Sequence, residues 1–133
     1  MENPARRISQ WLLDQLAALP EQMTAVYVEW SFSYSPEPKT RREVEFLSLC
    51  AFGFSALSKA SFDCSNPDHL QQLGDFIWEG PESFQVETAL SPKMDWTSVL
   101  KKSAADAKVR KLARGRNLLL LVGYHDDAVF DVS

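Results

Sequence analysis

A chain of 133 residues, 45% hydrophobic and 24% charged, has the size and composition of one globular α+β domain over residues 1–133, able to bury roughly two thirds of its unfolded surface. This composition is far from that of a disordered chain, and two cysteines do not make a disulfide framework. The net charge of −4 hides an uneven layout: residues 43–92 carry eight acids and one base, whereas residues 93–116 carry eight bases and two acids.

The chain opens with Met1-Glu2-Asn3-Pro4-Ala5-Arg6-Arg7, two arginines without an apolar signal core behind them. Ile8, Trp11, Leu12, Leu16 and Leu19 then recur at helical spacing, opposite Arg6, Arg7, Gln10 and Asp14, and Pro20 closes that helix. A strand follows in which Val26, Val28, Trp30, Phe32 and Tyr34 share one face, with Ala25, Tyr27, Glu29, Ser31 and Ser33 on the other. After the two-proline loop at 35–40 comes a second strand over 43–54, placing Val44, Phe46, Ser48, Cys50, Phe52 and Phe54 together. The two strands are expected to pair as a long hairpin with a common aromatic face, Trp30, Phe32 and Tyr34 joining Phe46, Phe52 and Phe54.

Weaker alternation over 55–64 suggests a third strand or an irregular edge. Asn66-Pro67-Asp68 is a helix start, with a cap, a proline at the first helical position and an acid near the dipole. That helix is expected to carry Leu70, Leu73, Phe76 and Ile77 up to Gly80-Pro81. Phe84, Val86 and Thr88 mark a short strand. Ser91-Pro92 opens a further helix through Leu112, with Gly115 as its stop. Leu118 to Val122, apolar without alternation, suits a strand covered on both faces, and residues 128–132 suit an edge strand. The order α-β-β-(β)-α-β-α-β-(β) predicts an α+β fold: a mainly antiparallel sheet of about four to six strands with helices packed on it. The longest apolar run is far too short for a membrane span, so no membrane partner and a cytoplasmic location are expected.

Chemistry-bearing residues are few. His125, Asp126 and Asp127 follow a buried strand and, with Glu29, form an alternative site for an enzyme or a small-ligand binder, although adjacent extended residues point to opposite faces. Glu29, Glu43 and Glu45 can approach each other across a hairpin as an acid and base pair, or lie on a solvated sheet face. His69, His125, Cys50 and Cys64 lack the short paired spacing of a zinc site. No G-x-S-x-G, G-x-G-x-x-G or G-x-x-x-x-G-K motif occurs. No catalytic residue, metal or cofactor is therefore expected, and the reading leans away from an enzyme. Nucleic acid is a disfavoured partner: the basic run from Lys101 to Arg116 has no interleaved aromatic, and the isoelectric point is near 5.1.

The expectation that remains is a non-enzymatic domain that binds another protein. Its most concrete form is a bacterial immunity or inhibitor protein that neutralises a basic toxin by covering its active site. Asp63, Asp68, Asp75, Glu79, Glu82 and Glu87 are its expected contact surface, because an acidic surface steers a basic partner. A homo-oligomeric assembly subunit, such as a homodimer joined acidic face to basic helix, is a further alternative.

Overall fold

The computed structural model describes residues 4–55, 76–88, 95–124 and 129–131. Helix α1 (Pro4–Ala18) begins on a proline, whose missing N–H costs nothing at that position. It turns Ile8, Trp11, Leu12 and Leu16 inward. Strands β1 (Ala25–Pro36) and β2 (Glu43–Phe54) form the expected hairpin, joined by the loop Glu37–Arg42. That loop is closed by Glu37 N–H donating to Arg42 O and Arg41 N–H donating to Glu37 O, both at 2.8 Å, with Arg41 in the left-handed region at φ 56°.

The loop fixes a register that divides the expected aromatic face. Tyr34 lies opposite Glu45, Ser33 opposite Phe46 and Tyr27 opposite Phe52. Directly opposed residues share a face. Trp30 and Phe32 therefore point toward the helices with Leu47, Leu49 and Ala51, while Phe46, Phe52 and Phe54 point to the other side. Leucines, not phenylalanines, are what β2 contributes to the main core.

Strand β3 (Trp78–Glu79) pairs with β2 at Gly53 and Phe52, so the chain is extended where the helical pattern was expected to run on to Gly80. Ile77 N–H donates to Gly53 O and Gly80 N–H to Ala51 O, satisfying the edge of β2, while the Trp78 ring packs on the core. The expected strand over 55–64 lies outside the described residues from position 56 on, and the expected helix start at Asn66 lies wholly outside them. Strand β4 (Phe84–Glu87) extends the same edge, pairing with β2 from Leu49 to Phe46.

The second helical region is two helices. Helix α2 (Trp96–Ala104) is capped by Asp95, whose Oδ1 accepts from Ser98 N–H. Helix α3 (Ala107–Gly115) is capped by Asp106, which accepts from Lys108 and Val109 N–H. An aspartate that can bond the next turn's N–H groups ends one helix and starts another. Helix α3 ends at Gly115, as expected, and the left-handed residue that closes it is Asn117. At φ 51° it lets Leu118 N–H reach Ala113 O and its own N–H reach Arg114 O, a Schellman closure.

Strand β5 (Leu119–Tyr124) runs parallel to β1 from Ala25 to Trp30, and β6 (Val129–Asp131) pairs antiparallel with β5. The spatial order is β3 and β4 on the outer edge of β2, then β1, β5 and β6. This is the expected α+β class, a mostly antiparallel sheet with one parallel pair. All three described helices pack on one side. Ile8, Leu12, Leu16, Leu100, Ala104 and Val109 meet Val26, Val28, Leu47, Leu49, Leu118, Leu120 and Val122. Burying each such leucine stabilises the fold by about 2 kcal/mol. On the other side Ala25, Tyr27, Phe54, Leu119 and Leu121 form a smaller buried cluster at one end of the sheet. Among the described residues no helix is long and apolar enough to cross a membrane.

Candidate functional site

The side of the sheet away from the helices changes character along β1 and β2. Near Ala25 it is closed, with Tyr27 stacked on Phe52 at 6.5 Å and the Phe76 ring centroid 4.8 Å from that of Phe52. Toward the hairpin tip it opens. Glu29, Ser31, Phe46, Ser48, Cys50 and Glu87 are half-buried there, and Ser33, Ser35 and Gln85 are exposed, whereas Glu79 is exposed back at the Phe52 end.

Strand pairing decides which acids meet on this face. Glu29 lies opposite Cys50, Glu79 opposite Phe52 and Glu87 opposite Phe46. Two residues expected on an acidic contact surface, Glu79 and Glu87, thus share a face with Glu29, expected as part of a different site. Glu82 is exposed at the turn between β3 and β4, and its carbonyl accepts from Trp11 Nε1 at 2.9 Å, tying that turn to α1. Asp63, Asp68, Asp75, His125, Asp126 and Asp127 lie outside the described residues, as do His69 and Cys64. Among the described residues no group of three or more His, Cys, Asp or Glu gathers to hold a metal ion.

Negative potential on this face is felt at its centre. Burial pushes the Cys50 thiol above its ordinary pKa, and Glu79 and Glu29 push it further in the same direction. No lysine or arginine occurs among the described strand residues that point to this side. Ser33 Oγ and Ser48 Oγ are 3.3 Å apart, and Gln85 Nε2 donates to Ser48 Oγ at 3.4 Å, so the surface offers hydroxyl and amide groups beside the carboxylates. At its outer end Ser33, Ser35, Val44, Phe46, Gln85 and Glu87 line a groove of about 640 Å³, completed by Pro36, Glu37 and Pro38.

The proposed approach of Glu29, Glu43 and Glu45 does not occur. Glu45 points to the helix side, opposite Tyr34, whereas Glu29 points away from it, because the hairpin register pairs odd-numbered with even-numbered positions. Glu45 instead accepts from Tyr34 Oη at 2.6 Å and from Thr88 Oγ1 at 2.8 Å, and these bonds hold its carboxyl below the ordinary range. A carboxylate favoured in its charged form serves poorly as a proton donor near neutrality. It fastens the hairpin to the end of β4.

The groove was not foreseeable from the sequence, because it depends on β4 pairing with β2 across almost forty residues. The local signal was present: Ser31, Ser33 and Ser35 alternate on one face where a buried strand would carry apolar side chains. Comparison with protein-family models, with curated proteins and with solved structures finds no match.

Proposed function

We propose that this chain is a non-enzymatic protein-binding domain of the inhibitor type, in its most concrete form an immunity protein that covers the active site of a basic toxin. The observation that carries the reading is the placement of Glu29, Glu79 and Glu87 on one open sheet face that includes no described base. Such a surface raises the encounter rate with a cationic partner and disfavours anionic ones. Half-exposed Phe46 and Phe52 add apolar contact within the polar field, the mixture found in protein interfaces. The groove beside Phe46 gives a protruding partner side chain a place to enter.

The test is affinity capture from the native host with the tagged wild-type chain and with a Glu29→Gln, Glu79→Gln, Glu87→Gln variant confirmed as folded by circular dichroism. The expected result is a basic protein bound one to one by the wild type and lost from the variant. Equal capture by both would exclude this face as the contact, and no stoichiometric partner for either would remove the binding reading.

A further inference from the structure

The acidic sheet face has a counterpart on the same molecule. Helices α2 and α3 turn Leu100, Ala104, Val109 and Ala113 into the core. Lys101, Lys102, Lys108, Arg110, Lys111 and Arg114 are all exposed. Helical spacing sets Lys102, Lys108, Lys111 and Arg114 on the far side of the two helices from this buried stripe and Lys101 and Arg110 beside it, so the first four form the outer ridge of the helical layer and the other two flank it. Asp106 is the one acid within the ridge, and it is occupied in capping α3. The sheet therefore separates a basic ridge from an acidic face.

We infer that the ridge of one copy docks on the acidic sheet face of a second copy, and that the assembly grows head to tail. The occupant follows from charge: six exposed bases meet a surface whose described side chains include Glu29, Glu79 and Glu87 and no base. The mode of growth follows from placement. A two-fold dimer brings one patch against itself, which here sets like charge on like. Pairing ridge with face uses two different patches on opposite sides of the molecule, so each added copy leaves one free ridge and one free face for the next. The contacts are surface ion pairs, individually weak, so assembly is favoured at high concentration and low salt. This inference rests on the reading of the acidic face as an interaction surface. Self-assembly also masks that face, and a basic partner has to displace the neighbouring copy to reach it.

The experiment uses the full chain in sedimentation velocity over a concentration series, at about 0.01 M and about 1 M ionic strength, where the screening length falls from about 30 Å to about 3 Å. Two neutralised variants accompany it: Lys108→Gln, Lys111→Gln, Arg114→Gln on the ridge, and Glu29→Gln, Glu79→Gln, Glu87→Gln on the face. The substituted residues are exposed or half-buried surface positions, and circular dichroism checks that each variant folds. At low salt the wild type should show a sedimentation coefficient that climbs with concentration without a plateau at dimer, and this climb should vanish at high salt. Each variant alone should stay monomeric. Mixed together they should form a dimer and stop there, because the mixture retains one intact face and one intact ridge. A wild type that stays monomeric, one that stops at dimer, or a mixture that does not pair would each overturn the inference. None of those results would affect partner capture, so the two readings fail separately.

Discussion

Arg116 Nη1 donates to the carbonyl oxygen of Leu19 at 3.0 Å. The same guanidinium donates to Leu16 O at 3.1 Å and through Nη2 to Pro20 O at 2.6 Å, so a residue just beyond α3 closes the C-terminal end of α1. Carbonyls at a helix end have no partner within the helix, and a cation there also meets the negative end of the dipole. In sequence Arg116 belongs to the basic run that ends the helical region, but in the structure it is half-buried and turned inward. Arg116→Ala should cost about 2–4 kcal/mol in urea unfolding, as expected for loss of charge-assisted bonds at a partly buried site. Arg116→Lys should recover only part of this, because one ammonium cannot span three carbonyls in the geometry of a planar fork. A variant within about 0.5 kcal/mol of wild type would show that the cap carries no stability.

The hairpin register makes neighbouring residues of β2 unequal. Leu47 is fully buried against the helices, whereas Phe46 is half-buried on the open face. Leu47→Ala should cost about 2–5 kcal/mol and Phe46→Ala about 1 kcal/mol. The order is the reverse of what residue size alone suggests. Chemical denaturation of the two variants decides it, and a larger loss for Phe46→Ala would mean that β2 is shifted by one residue.

The same pair shows what the sequence makes legible. Period-2 alternation in β1 and β2 marks both strands and places Trp30, Phe32 and Glu29 on the correct faces of β1. It does not say how the two strands align, because that depends on the loop and on Arg41 at positive φ. Leu47, Leu49 and Ala51 alternate as well as Phe46, Ser48 and Cys50 do, so aromatic content favours the wrong half as core. The break between α2 and α3 is written at Asp106, yet an apolar stripe continuing through Val109 and Leu112 masks it. The acidic face is the least legible feature. Glu29, Glu79 and Glu87 share a side of the sheet only because β2 pairs with β1 on one side and with β3 and β4 on the other, and such long-range pairing leaves no local pattern.

Gln15 is a polar residue on the buried side of α1, 2% exposed, and its Oε1 has no hydrogen-bond partner among the described residues. A Cβ added at Gly80 would collide with this oxygen and press on Ala51, so the amide end fills the space that the glycine leaves. A buried acceptor without a donor loses its hydration with no return. Gln15→Met, similar in length and without the carbonyl, should raise stability by about 1 kcal/mol, read as a higher urea midpoint at unchanged slope. A loss of stability instead would show that the amide makes a favourable contact through its nitrogen.

Cys50 gives a direct measure of the field on the acidic face. Burial raises its pKa, and Glu79 and Glu29 raise it further, so the folded chain holds the thiol proton at pH values where the unfolded chain has released it. The sign follows from proton binding. Above the unfolded thiol pKa of about 8.5 the native state binds more protons than the unfolded state, so the Cys50 contribution to stability falls as pH rises from there toward the folded value. Below that window it is fully present. In a Cys64→Ser background, which leaves one thiol, the urea midpoint should drop between pH 7 and pH 9.5 by more than it does when Cys50→Ala is added. Iodoacetamide should label folded Cys50 more slowly than the denatured chain at the same pH, since thiolate is the reacting form. Glu29→Gln and Glu79→Gln should each speed this labelling while leaving the denatured rate unchanged. If neither substitution alters the folded rate, the carboxylates do not set the potential at Cys50, and the electrostatic basis for recognition on this face is lost.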